Sequence, residues 1–326
     1  MKNKLVALVA TTFLLAACSS DTKPTKAPVK PRPEVKVPSF NADSAYNFID
    51  AQVAFGPRVP NSMGHKACGD YLQQTLERFT DTVYVQEGTV KRFDMQEMNF
   101  RNFVGSINPK ASSRVLLVAH WDTRFTSDQE EGVDVAILGA NDGGSGVGVL
   151  LEVARQMSIS KPSVGVDILL LDVEDQGQPS DSELNQVRNS WCLGSQYWAR
   201  NPHVSNYYAK YGILLDMVGG LNAKFKQEGI SRAYASSIVD KVWNEAQNAG
   251  YSSYFLFQEA PEIVDDHLYI NGLANIPTID IIENDQSTEY FFNKHWHTTK
   301  DDMSNISKPT LKAVGQTLLE VVYREQ

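Results

Sequence analysis

VLLVAHWD, residues 115–122, decides how this chain is read: an unbroken apolar run, then histidine, tryptophan and aspartate in immediate succession. A short run rich in valine and leucine that ends on polar residues predicts a strand buried on both faces. Three further runs of this kind follow, at Val166–Leu171, Ile213–Leu215 and Ile276–Ile282. Between them the spacing is helical, as where Ala235, Ile238, Val239, Val242, Trp243 and Ala246 fall on one apolar stripe. Alternating strands and helices predict a largely parallel sheet covered by helices. Val83–Val90 and Phe100–Ile107 read as an antiparallel pair at one edge, which makes the sheet mixed. The expected fold is α/β: a single domain with a central, mixed, mostly parallel β-sheet flanked by helices in a three-layer sandwich. A last helix over Pro309–Tyr323, with Leu311, Val314, Leu318 and Val321 on one face, is expected to pack against it.

Working outward to the N-terminus, Lys2 and Lys4 precede an apolar run from Leu5 to Ala17, the layout of a secretory signal too short to span a bilayer comfortably. Leu15-Ala16-Ala17-Cys18 resembles a bacterial lipobox, so residues 1–17 are expected to be a lipoprotein signal peptide and Cys18 the lipidated residue. Residues 18–37, rich in proline and lysine, read as a disordered tether, leaving 38–326 as the catalytic domain. Ser19 after the cysteine points to the outer membrane, facing the periplasm, with membrane attachment by the lipid anchor alone. The net charge of −9, without a basic cluster interleaved with aromatics, argues against nucleic acid as a partner. In an exported chain Cys68 and Cys192 suggest a disulfide, against the alternative of two buried free thiols.

Acidic and imidazole residues gather where the strand runs end. His120 and Asp122 follow the first, Glu174-Asp175 the second, Asp216 the third, and Glu283 through Asp285 the fourth. In an open α/β sheet the carboxyl ends of the strands form the ligand crevice. The turn Asn141-Asp142-Gly143-Gly144-Ser145-Gly146 presents a further carboxylate before the apolar helix Val147–Met157. A phosphate-binding role for that turn is weak, because no P-loop lysine is present and Asp142 would repel the anion. Carboxylate and imidazole without thiolate suit zinc with positions left open for catalysis. Other residues read blandly. His65 and His203 are expected at the surface, and Trp198, Tyr207 and Tyr208 in packing. Asp128-Gln129-Glu130-Glu131 reads as a solvated loop, and His267 as a helix-start residue supporting others.

His120-Trp121-Asp122, Asn141-Asp142-Gly143, Glu174-Asp175, Leu215-Asp216-Met217 and Trp296-His297-Thr298 occur in the order seen in zinc aminopeptidases of the M28 type, which the chain resembles from about residue 45 onward. Asp265-Asp266-His267 and Trp296-His297 look specifically like the glutaminyl cyclases of that group. The resemblance implies one zinc per chain, held by Asp142, Asp175 and His297, with Glu174 as general acid/base and Asp216 and Asp265 completing a carboxylate network. Trp296 and Phe292 would wall the substrate pocket, joined by Trp191. The implied substrates are peptides and exported proteins with N-terminal glutamine, converted to pyroglutamate with release of ammonia. Asp175 stands where many relatives carry glutamate. A two-zinc aminopeptidase, with His120 and Asp216 holding a second metal, is the nearest alternative reading. An inactive surface-binding lipoprotein is the other, though it leaves the complete ligand and acid/base set unexplained.

Overall fold

The computed structural model describes residues 35–325; the expected signal peptide, Cys18 and the tether as far as Glu34 lie outside the described residues. Val35 and Val37 already pack against the core, ahead of the expected domain start at residue 38. The elements run α1 (Ala42–Val53), α2 (Met63–Phe79), β1 (Thr82–Lys91), β2 (Glu97–Ile107), β3 (Arg114–His120), α3 (Gly144–Ile159), β4 (Gly165–Leu171) and α4 (Leu193–Arg200). They continue with β5 (Tyr211–Asp216), β6 (Phe225–Gln227), α5 (Gly229–Asn248), β7 (Phe255–Glu259), α6 (Asp266–Tyr269), a π-helical turn Ile270–Ala274, β8 (Thr278–Ile282) and α7 (Lys308–Tyr323). No described helix is long and apolar enough to cross a membrane.

Six strands form one sheet in the order β1-β2-β4-β3-β5-β8, and β6 pairs with β7 separately. The strands β4, β3, β5 and β8 are mutually parallel, while β2 is antiparallel to both β1 and β4. The expected mixed sheet with an antiparallel edge is what forms. Side chains alternate between two cores. Val115, Leu117 and Ala119 of β3 join the larger cluster, with Val147, Leu150 and Leu151 of α3 and Leu318 of α7. Leu116 and Val118 face the other way, toward Trp198, Ile270 and Ile276. Burial on both faces removes any need for polar alternation along these strands, which is why they read as continuous apolar runs. Gly146 brings α3 hard against the sheet, since a Cβ there would lie 2.4 Å from the Leu215 carbonyl oxygen.

Some local expectations are corrected. The fourth strand starts at Thr278 rather than Ile276, whose side chain packs under the π-helical turn's side of the sheet. His65 is buried, not at the surface: its Nε2 bonds both Asp172 oxygens at 2.8 and 3.0 Å, and its ring stacks on Trp121. His203 is half-buried against Trp198, Tyr84 and Tyr207, whereas Tyr208 is exposed. Cys68 and Cys192 are free and buried rather than bridged. Cys68 packs with Leu72 and Leu76 in the larger core, while the Cys192 thiol points at Glu174 on the other side of the site.

Glu228, fully buried at the start of α5, accepts the backbone N–H groups of Ile230, Ser231 and Ile263, the Ser231 hydroxyl and His267 Nε2. Burial favours its neutral form, but His267 and these donors hold it down to about 2 from the ordinary 4.5. Its stabilisation is therefore fully present above about pH 4.5 and lost as pH falls through about 2. Glu228→Gln is expected to lower unfolding free energy by on the order of 3 kcal/mol at pH 7, with the deficit shrinking toward pH 2. Denaturant titrations of both proteins across that range check this; a deficit independent of pH would contradict it.

Candidate active site

Every expected site residue of the sheet lies at or just beyond a carboxyl end: His120 closes β3, Glu174 and Asp175 follow β4, and Asp216 closes β5. Asp142 precedes α3 through Gly143, whose φ of +83° belongs to the left-handed region and whose missing Cβ would meet the Asp122 carbonyl oxygen at 2.6 Å. Asp301 fixes the same turn from outside, accepting the N–H groups of Asn141 and Asp142 at 2.8 and 3.0 Å. His297 arrives from the loop before α7. Its Nε2 stands 3.0 Å from Asp175 Oδ1 and 3.6 Å from Asp142 Oδ2.

Asp142, Asp175 and His297 each offer a donor atom within 4.8 Å of the others, all three residues being buried. Oδ2 of Asp142 and Oδ2 of Asp175 have no hydrogen-bond partner. Two buried carboxylate oxygens without donors are costly unless a cation meets them. Three protein ligands of this chemistry, with a fourth position left open, fit catalytic zinc. Without metal, burial and the neighbouring Asp142 push Asp175 up to about 6, while Asp142 is held low by His120 despite its burial. Burial disfavours charge on His297, yet Asp175 and Asp128 raise it to about 9.

Asp128 is a correction to the expected solvated loop. It bonds His297 Nδ1 at 2.8 Å and pairs with Arg124 at 2.6 Å, and its neighbour Glu130 accepts the Thr299 N–H and hydroxyl. The loop docks on the site because His297 needs a partner for its second nitrogen. Asp122 acts in the same way on the acidic pair, accepting the N–H groups of Glu174 at 3.0 Å and Asp175 at 3.2 Å and the Gln176 amide at 2.9 Å. Arg124 donates to the carbonyls of Asp175 and Gly177 and lies over the Trp191 ring.

A second group of donors comprises His120, Asp142 and Asp216, with His120 Nε2 3.1 Å from Asp142 Oδ1 and 3.2 Å from Asp216 Oδ1. Behind it, buried carboxyls accumulate: Asp265, Asp266 and Asp280 lie close together, and neither Asp280 oxygen meets a hydrogen-bond donor. Burial and the charges of Asp175, Asp265 and Asp266 raise Glu174 well above the usual range; burial, Asp142 and Asp265 raise Asp216 to about 7. The Cys192 thiol donates to Glu174 Oε1 at 3.2 Å. His267 pairs with Glu228 and so supports the region from behind, as expected.

A cavity of about 300 Å³ opens onto these groups, lined by the expected Trp191, Phe292 and Trp296 together with Ile263, Val264 and Tyr290. Trp296 stacks on His297 with ring centroids 3.8 Å apart, and Trp191 lies parallel on the far side at 6.0 Å. The sequence placed Asp122 at its strand end without a role, read Asp128 as solvated and Cys192 as a disulfide partner, and left Asp280 unremarked, although Asp280 carried a signal as a charged residue inside an otherwise apolar strand run.

A mixed sheet whose parallel strand ends present imidazole and carboxylate donors around an open position defines a zinc exopeptidase type of α/β protein. The chain belongs to peptidase family M28, whose profile matches residues 102–322. Glutaminyl cyclase of Bacteroides thetaiotaomicron, solved with N-acetylhistamine bound, is 51% identical with a TM-score of 0.87, covering 89% of this chain and 100% of that one. A Zn-dependent exopeptidase from Parabacteroides distasonis is similar to the same degree: 51% identity, TM-score 0.87, 89% and 100% coverage. Glutaminyl-peptide cyclotransferase of Gloydius blomhoffii is 25% identical over 291 residues, 80% of this chain and 75% of that one.

The free thiols give a direct test. Burial pushes Cys68 up to about 12 and Cys192 well above its ordinary value, so neither is a ready nucleophile. A thiol reagent should titrate no cysteine in native protein beginning at Val35, and both Cys68 and Cys192 after unfolding without reductant. Thiols that appear only after reduction would restore the disulfide.

Proposed function

We propose that this chain is a glutaminyl-peptide cyclotransferase, which closes the N-terminal glutamine of peptides and proteins to pyroglutamate and releases ammonia. The observation that carries this reading is the wall of buried carboxyls, Asp265 and Asp280 with Asp216, packed against Glu174 beside a three-residue ligand set. Similarity at about half identity to a bacterial glutaminyl cyclase supports it.

Asp142, Asp175 and His297 would hold one zinc, which supplies a Lewis acid for the γ-carboxamide oxygen. Trp296, Phe292 and Trp191 line the space for the glutaminyl side chain and keep water from competing with the amine. The substrate carries nucleophile and electrophile in one residue, so the enzyme must only fold it into a near-attack geometry. Glu174 takes a proton from the α-amine as its nitrogen bonds to the carboxamide carbon Cδ, then returns it to the departing nitrogen as the Cδ–Nε2 bond breaks and ammonia leaves. A carboxyl raised by burial and by neighbouring charge is suited to holding that proton between the two events. Asp216 and Asp265 keep the surrounding network able to absorb the change of charge. The Leu15-Ala16-Ala17-Cys18 sequence supports lipid attachment, and Ser19 an outer-membrane surface facing the periplasm, where newly exported proteins present their N-termini.

One observation favours a second reading, a two-zinc aminopeptidase: His120, Asp142 and Asp216 converge closely enough to hold another ion. The two readings differ in product. With a glutaminyl peptide the cyclase releases ammonia and leaves the peptide bond whole; the peptidase releases free glutamine. Glu174→Gln should lower ammonia release by roughly 10²–10⁴-fold while leaving zinc bound. Free amino acid as the main product would overturn the assignment. Asp128→Asn, which weakens the hold on His297, should reduce zinc affinity about 10- to 100-fold in chelator competition. Unchanged affinity would remove His297 from the ligand set.

A further inference from the structure

We infer that the groove beside Trp191 binds the residues following the substrate's N-terminal glutamine, and that Arg188 makes it select an acidic side chain at the second or third position. This rests on the cyclase reading and extends it to substrate class.

The inner end of the active cavity is occupied by Asp142, Glu174, Asp175, Asp216 and Asp265, so the rest of a peptide must leave through its outer walls. Two of those walls, Trp191 and Val264, also line a groove of about 560 Å³ that runs along residues 178–190 and reaches Tyr269. These shared walls set the groove directly beside the cavity that holds the reacting residue.

The groove wall is built rather than loose. The Gln178 side chain donates to Ser182 Oγ and the carbonyls of Leu184 and Asn185, and accepts the Val187 N–H at 2.7 Å. Gln196 holds the other end, donating to the carbonyls of Asn189 and Trp191 at 2.9 Å. Apolar side chains stand open to solvent here: Leu184 is 52%, Val187 41% and Val264 58% exposed. Among the described residues lining the groove Arg188 is the sole charge, and it is exposed and makes no ion pair with any described residue. A chain of net charge −9 thus sets one unpaired cation beside a strongly acidic cavity. A peptide with its amine among the carboxyls and an acidic side chain one or two residues on matches both ends of that field.

The test measures kcat/KM for ammonia release from glutaminamide and from glutaminyl tetrapeptides bearing Glu, Ala or Lys at position two or three. At low ionic strength wild type should prefer Glu over Lys by roughly two- to five-fold, mainly through KM. Added salt should erode the preference. Arg188→Glu should reverse it, and Leu184→Ser with Val187→Ser should raise KM for the tetrapeptides relative to glutaminamide. An acid-to-base ratio identical in wild type and Arg188→Glu overturns the inference while glutaminamide turnover upholds the cyclase. Absence of ammonia from every substrate overturns both.

Discussion

Carboxyl groups of Asp142, Glu174, Asp175, Asp216, Asp265 and Asp280 converge where the parallel strands end, largely buried at the base of the active cavity. Like charges brought this close out of water cannot all remain ionised, and each must be neutralised, shared or met by a cation. The surrounding architecture answers that constraint. His297 and His120 sit among the oxygens, Asp142 lies just ahead of the α3 N-terminus, where the helix dipole favours an anion, and burial beside Asp265 and Asp216 raises Asp280 well above the ordinary carboxylate range. Asp142 and Asp175 keep oxygens that no protein donor reaches, which leaves them suited to a cation.

Holding these groups requires unusual backbone. Val173, Cys192, Met217 and His297 all have positive φ, between 46° and 58°, and each is a site residue or adjoins one. Valine in this region is strongly disfavoured, and such conformations cost about 1–3 kcal/mol each. Cores on both sides of the sheet, joined through β3, β4 and β5, supply the rigidity that keeps them in place. The strain aims side chains: Val173 turns the chain sharply after β4, so that Glu174 faces Cys192 while Asp175 faces His297.

Much of this was legible in the sequence because burial on both faces erases polar alternation, leaving strands such as Val115–Ala119 and Val166–Leu171 as plain apolar runs. The acidic pair, the Asp142 turn and Asp216 stood out by interrupting that pattern at strand ends. What failed to show was long-range polar pairing. His65 sits among polar neighbours in sequence, yet it is buried by Asp172 and Trp121, far along the chain. Asp128 belongs to a charged run that reads as solvated until His297 is seen to require its oxygen. The expected export of the chain suggested a Cys68–Cys192 bridge, because nothing in the spacing reveals that one thiol serves the core and the other faces Glu174.

The proposed reading keeps Asp216 out of metal binding and so leaves a single metal position. The direct measurement is zinc stoichiometry by elemental analysis of protein dialysed against excess zinc, alongside Asp216→Asn. The account predicts one zinc per chain in both proteins. Two zincs in wild type, falling to one in Asp216→Asn, would make Asp216 and His120 ligands and contradict it.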